Sequence, residues 1–131
     1  MRIAVFGPHP DDQELGMGGT IARLAAAGHQ VTLVDMTTGE PTPFGSPEIR
    51  SQEAAAAAKI LGVTRLQLPL TNREVVNDLA SRAIVAGAIR MLKPHVLFAP
   101  HPEDAHPDHV AACVVIEAAR FAAKFTKCDL P

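Results

Sequence analysis

Residues 2–12 read RIAVFGPHPDD, and this stretch decides the fold. Its first part, Arg2 to Gly7, is a short apolar run bounded by a Gly-Pro turn, which is typical of a buried strand. A strand that is buried on both faces belongs to a sheet covered by helices on each side, and such sheets are mainly parallel. The polar turn that follows places histidine and aspartate directly after the end of this strand.

Strand-like and helix-like segments alternate along the rest of the chain. Capping and stop residues, such as Ser46 before Pro47 and Gly62 after an alanine-rich run, set the helix boundaries. The predicted strands are Arg2 to Gly7, Val31 to Met36, Thr64 to Leu68 and His95 to Ala99. The predicted helices are Gly18 to Ala27, Pro47 to Leu61, Asp78 to Leu92 with Asn77 as its N-cap, and Asp108 to about Lys124. This order predicts an α/β fold, a Rossmann-like three-layer αβα domain over residues 1–131 with an open, mainly parallel sheet.

Composition excludes several classes of protein. The chain has 131 residues, 47% of them hydrophobic, which is enough for one domain with a buried core. Twelve basic and 14 acidic residues give a net charge of −2, so a nucleic-acid partner is not expected. No segment approaches the roughly 20 apolar residues of a membrane span. Cys113 and Cys128 form no CxxC pair and no signal peptide is visible, which predicts a cytoplasmic protein with free thiols.

Histidines and carboxylates concentrate in the loops that follow the predicted strands. In parallel sheets the ligand crevice lies beyond the carboxyl ends of the strands, so these loops should meet there. The first loop, residues 8–14, and the fourth loop, residues 101–109, both combine histidine, aspartate and proline. Imidazole nitrogen and carboxylate oxygen are ligands suited to zinc, and a catalytic zinc keeps one position for water. The sequence therefore predicts a metal site at this crevice.

Several alternatives remain open from the residues alone. Either His106 or His109, which are three residues apart at a helix start, could bind metal while the other faces substrate. Asp108 could serve as the N-cap of that helix, and His101 could be a surface residue. The glycines at 16–19 could belong to a phosphate-binding loop, although the acidic run before them disfavours phosphate. A purely structural domain would leave the histidine clustering unexplained.

Two motifs resemble those of a known family. Residues 8–20, PHPDDQELGMGGT, resemble the N-terminal signature of the LmbE-like (PIG-L) N-acetylglucosaminyl deacetylases, and residues 105–109, AHPDH, resemble their second motif. Residues 38–40 and the pair Arg50 and Glu53 are also similar. The resemblance implies a Rossmann-like fold and a zinc-dependent enzyme that removes acetyl groups from N-acetylated amino sugars. Fe²⁺ and Co²⁺ suit similar ligands.

The first motif and the end of the second imply the metal chemistry. By motif position, the resemblance makes His9, Asp12 and His109 the metal ligands. It makes Asp11 the general base that takes a proton from water.

The remaining motif positions imply how the substrate is handled. A protonated His106 would stabilise the oxyanion, with Asp108 as its partner. Arg50 and Glu40 would lie near polar groups of a small amino-sugar substrate.

Two features of the chain leave further questions. Family members are usually much longer than 131 residues, so a metal-binding but weakly catalytic fragment or remnant is the alternative function. Ala105 also stands where many members have a basic residue. A short sheet with exposed edges further predicts homo-oligomerisation.

Overall fold

The chain folds around an open sheet of four parallel strands, as seen in a computed structural model that describes residues 1–125 and residue 127. The strand order within these residues is β3-β2-β1-β4, so the first strand lies in the interior of the sheet. The elements are β1 (Arg2–Gly7), α1 (Asp12–Ala26), β2 (Gln30–Thr37), α2 (Pro47–Leu61), β3 (Thr64–Leu70), α3 (Leu79–Leu92), β4 (Val96–Phe98) and α4 (Pro107–Ala122). The predicted fold class is confirmed.

Side chains of β1 alternate between two apolar clusters, one on each face of the sheet. Ile3 and Val5 pack with Ile21 of α1 in one cluster. Ala4 and Phe6 belong to the other, which includes residues of α3 and α4. This alternation is the period of two expected of a strand, and it shows that β1 is covered on both faces.

Several predicted boundaries were wrong. The glycines at 16–19 have low helix propensity and suggested a late start for α1, but the helix begins at Asp12, and Met17 is where its backbone departs from helical geometry. Asp78, not Asn77, caps α3, because its carboxylate accepts the Ser81 N–H at 2.7 Å. Strand β4 is shorter than predicted, at three residues.

The described residues bear on two further predictions, which concern the cysteines and membrane-spanning segments. Cys113 on α4 is a free thiol, and Cys128 lies outside the described residues. No helix in the described part of the chain combines the length and apolar character needed to cross a membrane.

A buried ion network connects the start of α1 to the sheet. The Arg65 guanidinium on β3 contacts the carboxylates of Glu14 and Asp35, with its Nε 2.6 Å from Asp35 Oδ2. The Arg65 side chain is 9% exposed and that of Asp35 is 3% exposed. Burial disfavours the charged guanidinium, but its hydrogen bonds to Asp35 and Glu14 outweigh burial and raise the pKa of Arg65. The Gln13 amide also donates to Asp35, at 3.0 Å. This network fixes the first turn of α1 to β2 and β3.

Replacing Arg65 by Met should destabilise the protein strongly. The Asp35 carboxylate would be left buried without its cation, and breaking a buried pair in this way costs about 3–5 kcal/mol. Urea unfolding of the metal-free chain measures the loss. Arg23→Met is the matched control, because Arg23 is exposed on α1 and such changes usually stay within about 0.5 kcal/mol. Equal losses in the two variants would show that the network does not anchor the turn.

Candidate metal centre

The loops after β1 and before α4 meet at the carboxyl end of the sheet. His9 follows β1, Asp12 begins α1, and His109 lies in the first turn of α4. One nitrogen or oxygen from each of these three side chains lies within 4.8 Å of the others. The ring centroids of His9 and His109 are 5.4 Å apart. The structure thus brings together the three side chains that the sequence motifs suggested as metal ligands.

The Asp12 carboxylate lies between the two imidazoles. Its Oδ2 is 3.3 Å from His9 Nδ1 and accepts the His9 backbone N–H at 2.8 Å. Its Oδ1 is 3.3 Å from His109 Nε2. Two nitrogens and a carboxylate oxygen therefore converge on one small space, which is the donor set of a three-residue zinc site with an open position.

The outer nitrogen of His9 contacts a second carboxylate. His9 Nε2 lies 2.9 Å from Asp108 Oδ2. Ionised carboxylates only accept hydrogen bonds, and one lies at each ring nitrogen. The shorter contact, to Asp108, is the hydrogen bond, so a neutral ring has its proton on Nε2 and its lone pair on Nδ1. Asp108 is buried and also accepts the backbone N–H groups of Arg73 and Val75, at 2.8 and 3.3 Å. The loop after β3 thereby holds the carboxylate that orients His9.

The hydrogen bonds of Asp108 and His106 differ from the predicted pairing of the two side chains, which stays a prediction. The Asp108 carboxylate contacts His9, whereas His106 caps α4 by accepting the Asp108 backbone N–H on Nδ1, at 3.1 Å. A backbone N–H can only donate, so Nδ1 is unprotonated and the neutral ring has its hydrogen on Nε2. Nε2 is therefore the nitrogen with which His106 can donate a hydrogen bond to another group. A catalytic role for Asp108 remains a prediction.

A second group of side chains, His9, His106 and Asp108, also has one nitrogen or oxygen from each residue within 4.8 Å of the others. The Asp108 oxygens, however, already accept from two backbone amides and His9. The group of His9, Asp12 and His109 has fewer competing partners and fits a metal better.

The hydrogen bonds around the site shift the pKa values of its groups. Burial disfavours the charged His9 ring, but hydrogen bonds to Asp12 and Asp108 outweigh it and raise the pKa of His9. Burial also opposes the ionised carboxylates, yet their hydrogen bonds to His9 and to backbone amides lower the pKa of Asp12 and that of Asp108. Both carboxylates are consequently ionised at neutral pH.

Asp11 adjoins this group but points to a different environment. It precedes α1 with φ 118° and ψ −24°, a left-handed conformation that few residues other than glycine adopt. Its side chain is 53% exposed. Burial of the remainder raises the pKa of Asp11, and nearby Arg50 offsets only part of that rise. A raised pKa makes this carboxylate a stronger base, which suits proton abstraction from water.

The two side chains predicted to contact substrate are engaged within the protein. Arg50 Nη2 donates to the Pro10 carbonyl at 2.7 Å and lies 3.6 Å from Asp11 Oδ2. Glu40 is buried and accepts the backbone N–H and the hydroxyl of Thr42, at 2.6 and 2.8 Å. Arg50 therefore supports the turn that bears Asp11, and substrate contact by either residue stays a prediction.

Two residues of the fourth loop, His101 and Asp104, differ in whether they contact a candidate metal ligand. His101 is exposed and accepts the Glu103 backbone N–H, outside the metal-ligand groups. Asp104 contacts His109, with 3.0 Å between Oδ2 and Nδ1. The sequence motifs predicted no role for Asp104. The sequence feature that could have indicated its contact with His109 is their separation of only five residues.

Comparison with known proteins places this geometry in a family. Residues 4–120 match the PIG-L family model, described as GlcNAc-PI de-N-acetylase. The chain belongs to the PIG-L family. The resemblance seen in the two sequence motifs is therefore confirmed, and it extends over most of the chain.

Named relatives of this PIG-L chain include deacetylases. It is 31% identical to diacetylchitobiose deacetylase from Thermococcus kodakarensis, over 98% of the chain and 54% of that protein. It is also 31% identical to 1D-myo-inositol 2-acetamido-2-deoxy-alpha-D-glucopyranoside deacetylase from Nakamurella multipartita, over 90% of the chain and 54% of that protein. The crystal structure of the conserved protein TT1542 from Thermus thermophilus superposes with a TM-score of 0.94 and 42% identity, over 98% of this chain and 59% of that one. The chain spans about half the length of the curated relatives it matches.

Proposed function

We propose that this PIG-L chain catalyses metal-dependent hydrolysis of the N-acetyl amide of an N-acetylglucosamine-type amino sugar or its conjugate. The observation that supports this most directly is the convergence of His9, Asp12 and His109 on one small space, with Asp11 adjacent to Asp12 in the chain. Relatives named as deacetylases of acetylated sugars support the substrate class.

The donor set fits zinc as the resident metal. Two imidazole nitrogens and one carboxylate oxygen are a known catalytic zinc combination, and they also suit Fe²⁺ or Co²⁺. When bound, such an ion polarises the acetyl carbonyl and lowers the pKa of water.

The residues of the chain account for the proton transfers. Asp11 takes a proton from the attacking water as its oxygen bonds to the acetyl carbon. The same carboxyl group then returns the proton to the nitrogen as the C–N bond breaks, giving acetate and a free amine. The Nε2–H of His106 would donate to the oxygen that gains negative charge in the tetrahedral state.

His106→Asn should retain the metal and lose most of the turnover. Asparagine can still cap α4, whereas the Nε2–H donor is lost, and removing one such donor typically costs about 10²–10³ in rate. Acetate release and metal content are measured on the same preparations. His101→Asn is the matched control with unchanged expected values, because His101 is exposed and outside the metal-ligand groups.

Loss of metal in His106→Asn would contradict this assignment. That result would instead place the ion in the second group, with His9, His106 and Asp108.

A second candidate is a metal-binding domain with little catalysis of its own. It is favoured by the chain spanning about half the length of its curated relatives. Acetate release from a panel of N-acetylglucosamine conjugates, with about one zinc bound per chain, separates the two. Turnover supports the deacetylase, and full metal content without turnover supports the second candidate.

The cellular setting and assembly are part of the proposal. The free thiol of Cys113 supports a cytoplasmic location, because that compartment keeps thiols reduced. The exposed edges of the sheet support a homo-oligomer, and light scattering of the purified chain tests this.

A further inference from the structure

We propose that Asp104 is a positioning residue of the metal centre, which holds His109 in the tautomer and orientation that a metal ligand needs. This inference rests on the proposed metal role of His109. It assigns a function to a carboxylate outside both metal-ligand groups.

The two oxygens of Asp104 have different partners. Oδ2 lies 3.0 Å from His109 Nδ1, and Oδ1 accepts the His106 backbone N–H at 2.8 Å. Carboxylates can only accept, and the contact with Asp104 is shorter than the 3.3 Å contact between Nε2 and Asp12, so a neutral His109 ring places its proton on Nδ1. The lone pair is then on Nε2, the nitrogen that lies 3.3 Å from Asp12 Oδ1.

His109 and His9 thus have the same arrangement. Each imidazole directs one nitrogen toward Asp12 and the other toward a carboxylate, Asp104 for His109 and Asp108 for His9. Carboxylates behind metal-binding histidines fix the ring and increase its basicity, and their removal typically lowers metal affinity. Asp108 is buried among backbone donors, whereas the Asp104 side chain is 35% exposed. Asp104 can therefore be replaced with less disturbance of the core.

Two substitutions separate the functions of the Asp104 oxygens. Asp104→Ser retains an oxygen that can accept the His106 N–H and close the turn before α4, but leaves no carboxylate for His109. Asp104→Asn has a single acceptor oxygen. When that oxygen serves His106, the NH₂ group faces His109 Nδ1 and favours the Nε2–H tautomer, which has no lone pair on Nε2 for a metal.

The first measurement is metal affinity of the full chain. Titration of the metal-free protein with Zn²⁺ should show a loss of about 10–100-fold for both Asp104→Ser and Asp104→Asn. Glu103→Gln is the matched control, because it removes a negative charge from the adjacent exposed position and should bind zinc like the parent. An equal loss in Glu103→Gln would overturn the proposal in favour of a general charge effect.

The second measurement is the tautomer of His109. Nitrogen NMR of the ¹⁵N-histidine-labelled, metal-free chain at one pH should show Nδ1–H in the parent and a shift toward Nε2–H in both variants. A residue that only stabilised the loop would not change this signal. Unchanged tautomer and affinity in Asp104→Ser would overturn the proposal.

The two proposals fail separately. If the parent bound no zinc, the proposed function would fail, and the tautomer measurement would still test whether Asp104 orients His109. If the parent bound zinc and the Asp104 variants kept parental affinity and tautomer, only the positioning role would fail.

Discussion

Asp12→Ala is expected to leave the chain without stoichiometric metal. The Asp12 carboxylate lies between His9 and His109 and supplies the anionic donor of the group. Without it, two imidazoles remain, fewer than the three protein ligands of a catalytic zinc site. After metal removal and dialysis against zinc, we expect about one ion per chain in the parent and less than about one tenth in the variant.

The variant Asp12→Asn tests whether metal loss in Asp12→Ala results only from misfolding. The Asp12 carboxylate also accepts the His9 backbone N–H, at 2.8 Å, and the asparagine oxygen can retain that bond. The amide is a poorer zinc ligand because it has no charge, so the loss of metal should persist. Equal metal contents in parent and both variants, with unchanged unfolding curves, would refute the ligand assignment.

Asp11→Asn should abolish most of the turnover and keep the metal. The amide cannot take a proton from water, and a positioned general base typically contributes about 10²–10⁴ in rate. Asparagine is nearly the same size and is among the residues that tolerate positive φ, so the turn at φ 118° should persist. Acetate release at saturating substrate measures the effect on preparations of known zinc content.

The neighbouring residue provides the control for this second experiment. Asp12→Asn changes the adjacent carboxylate in the same way and should lose metal and turnover together. If Asp11→Asn retained parental turnover with full zinc content, Asp11 would not be the base.

The convergence of the three candidate ligands could be anticipated because it depends on topology. A strand that ends in Gly7-Pro8 and a helix that starts near Asp108 lie at one edge of a parallel sheet, whatever the details of their packing. The positions of the two loops, one after the first strand and one after the fourth, were therefore enough to suggest one site.

The partner of Asp108 could not be derived from its position in the sequence. His106 is only two residues away, but its Nδ1 caps α4 by accepting the Asp108 backbone N–H. Asp108 contacts His9, 99 residues distant, and backbone amides of the loop after β3. The start of α1 at Asp12 was also not predicted, because helix propensities do not indicate the left-handed conformation of Asp11 that precedes it.

The ion network of Arg65 has a consequence for the choice of metal. Glu14, Asp35 and Arg65 anchor the first turn of α1, which begins at Asp12, to the sheet through contacts that require no bound metal. If the proposed ligands are held in place before a metal arrives, the site would discriminate by the size and the preferred donor atoms of the ion. Among ions with similar preferences, occupancy then follows their relative abundance in the cell.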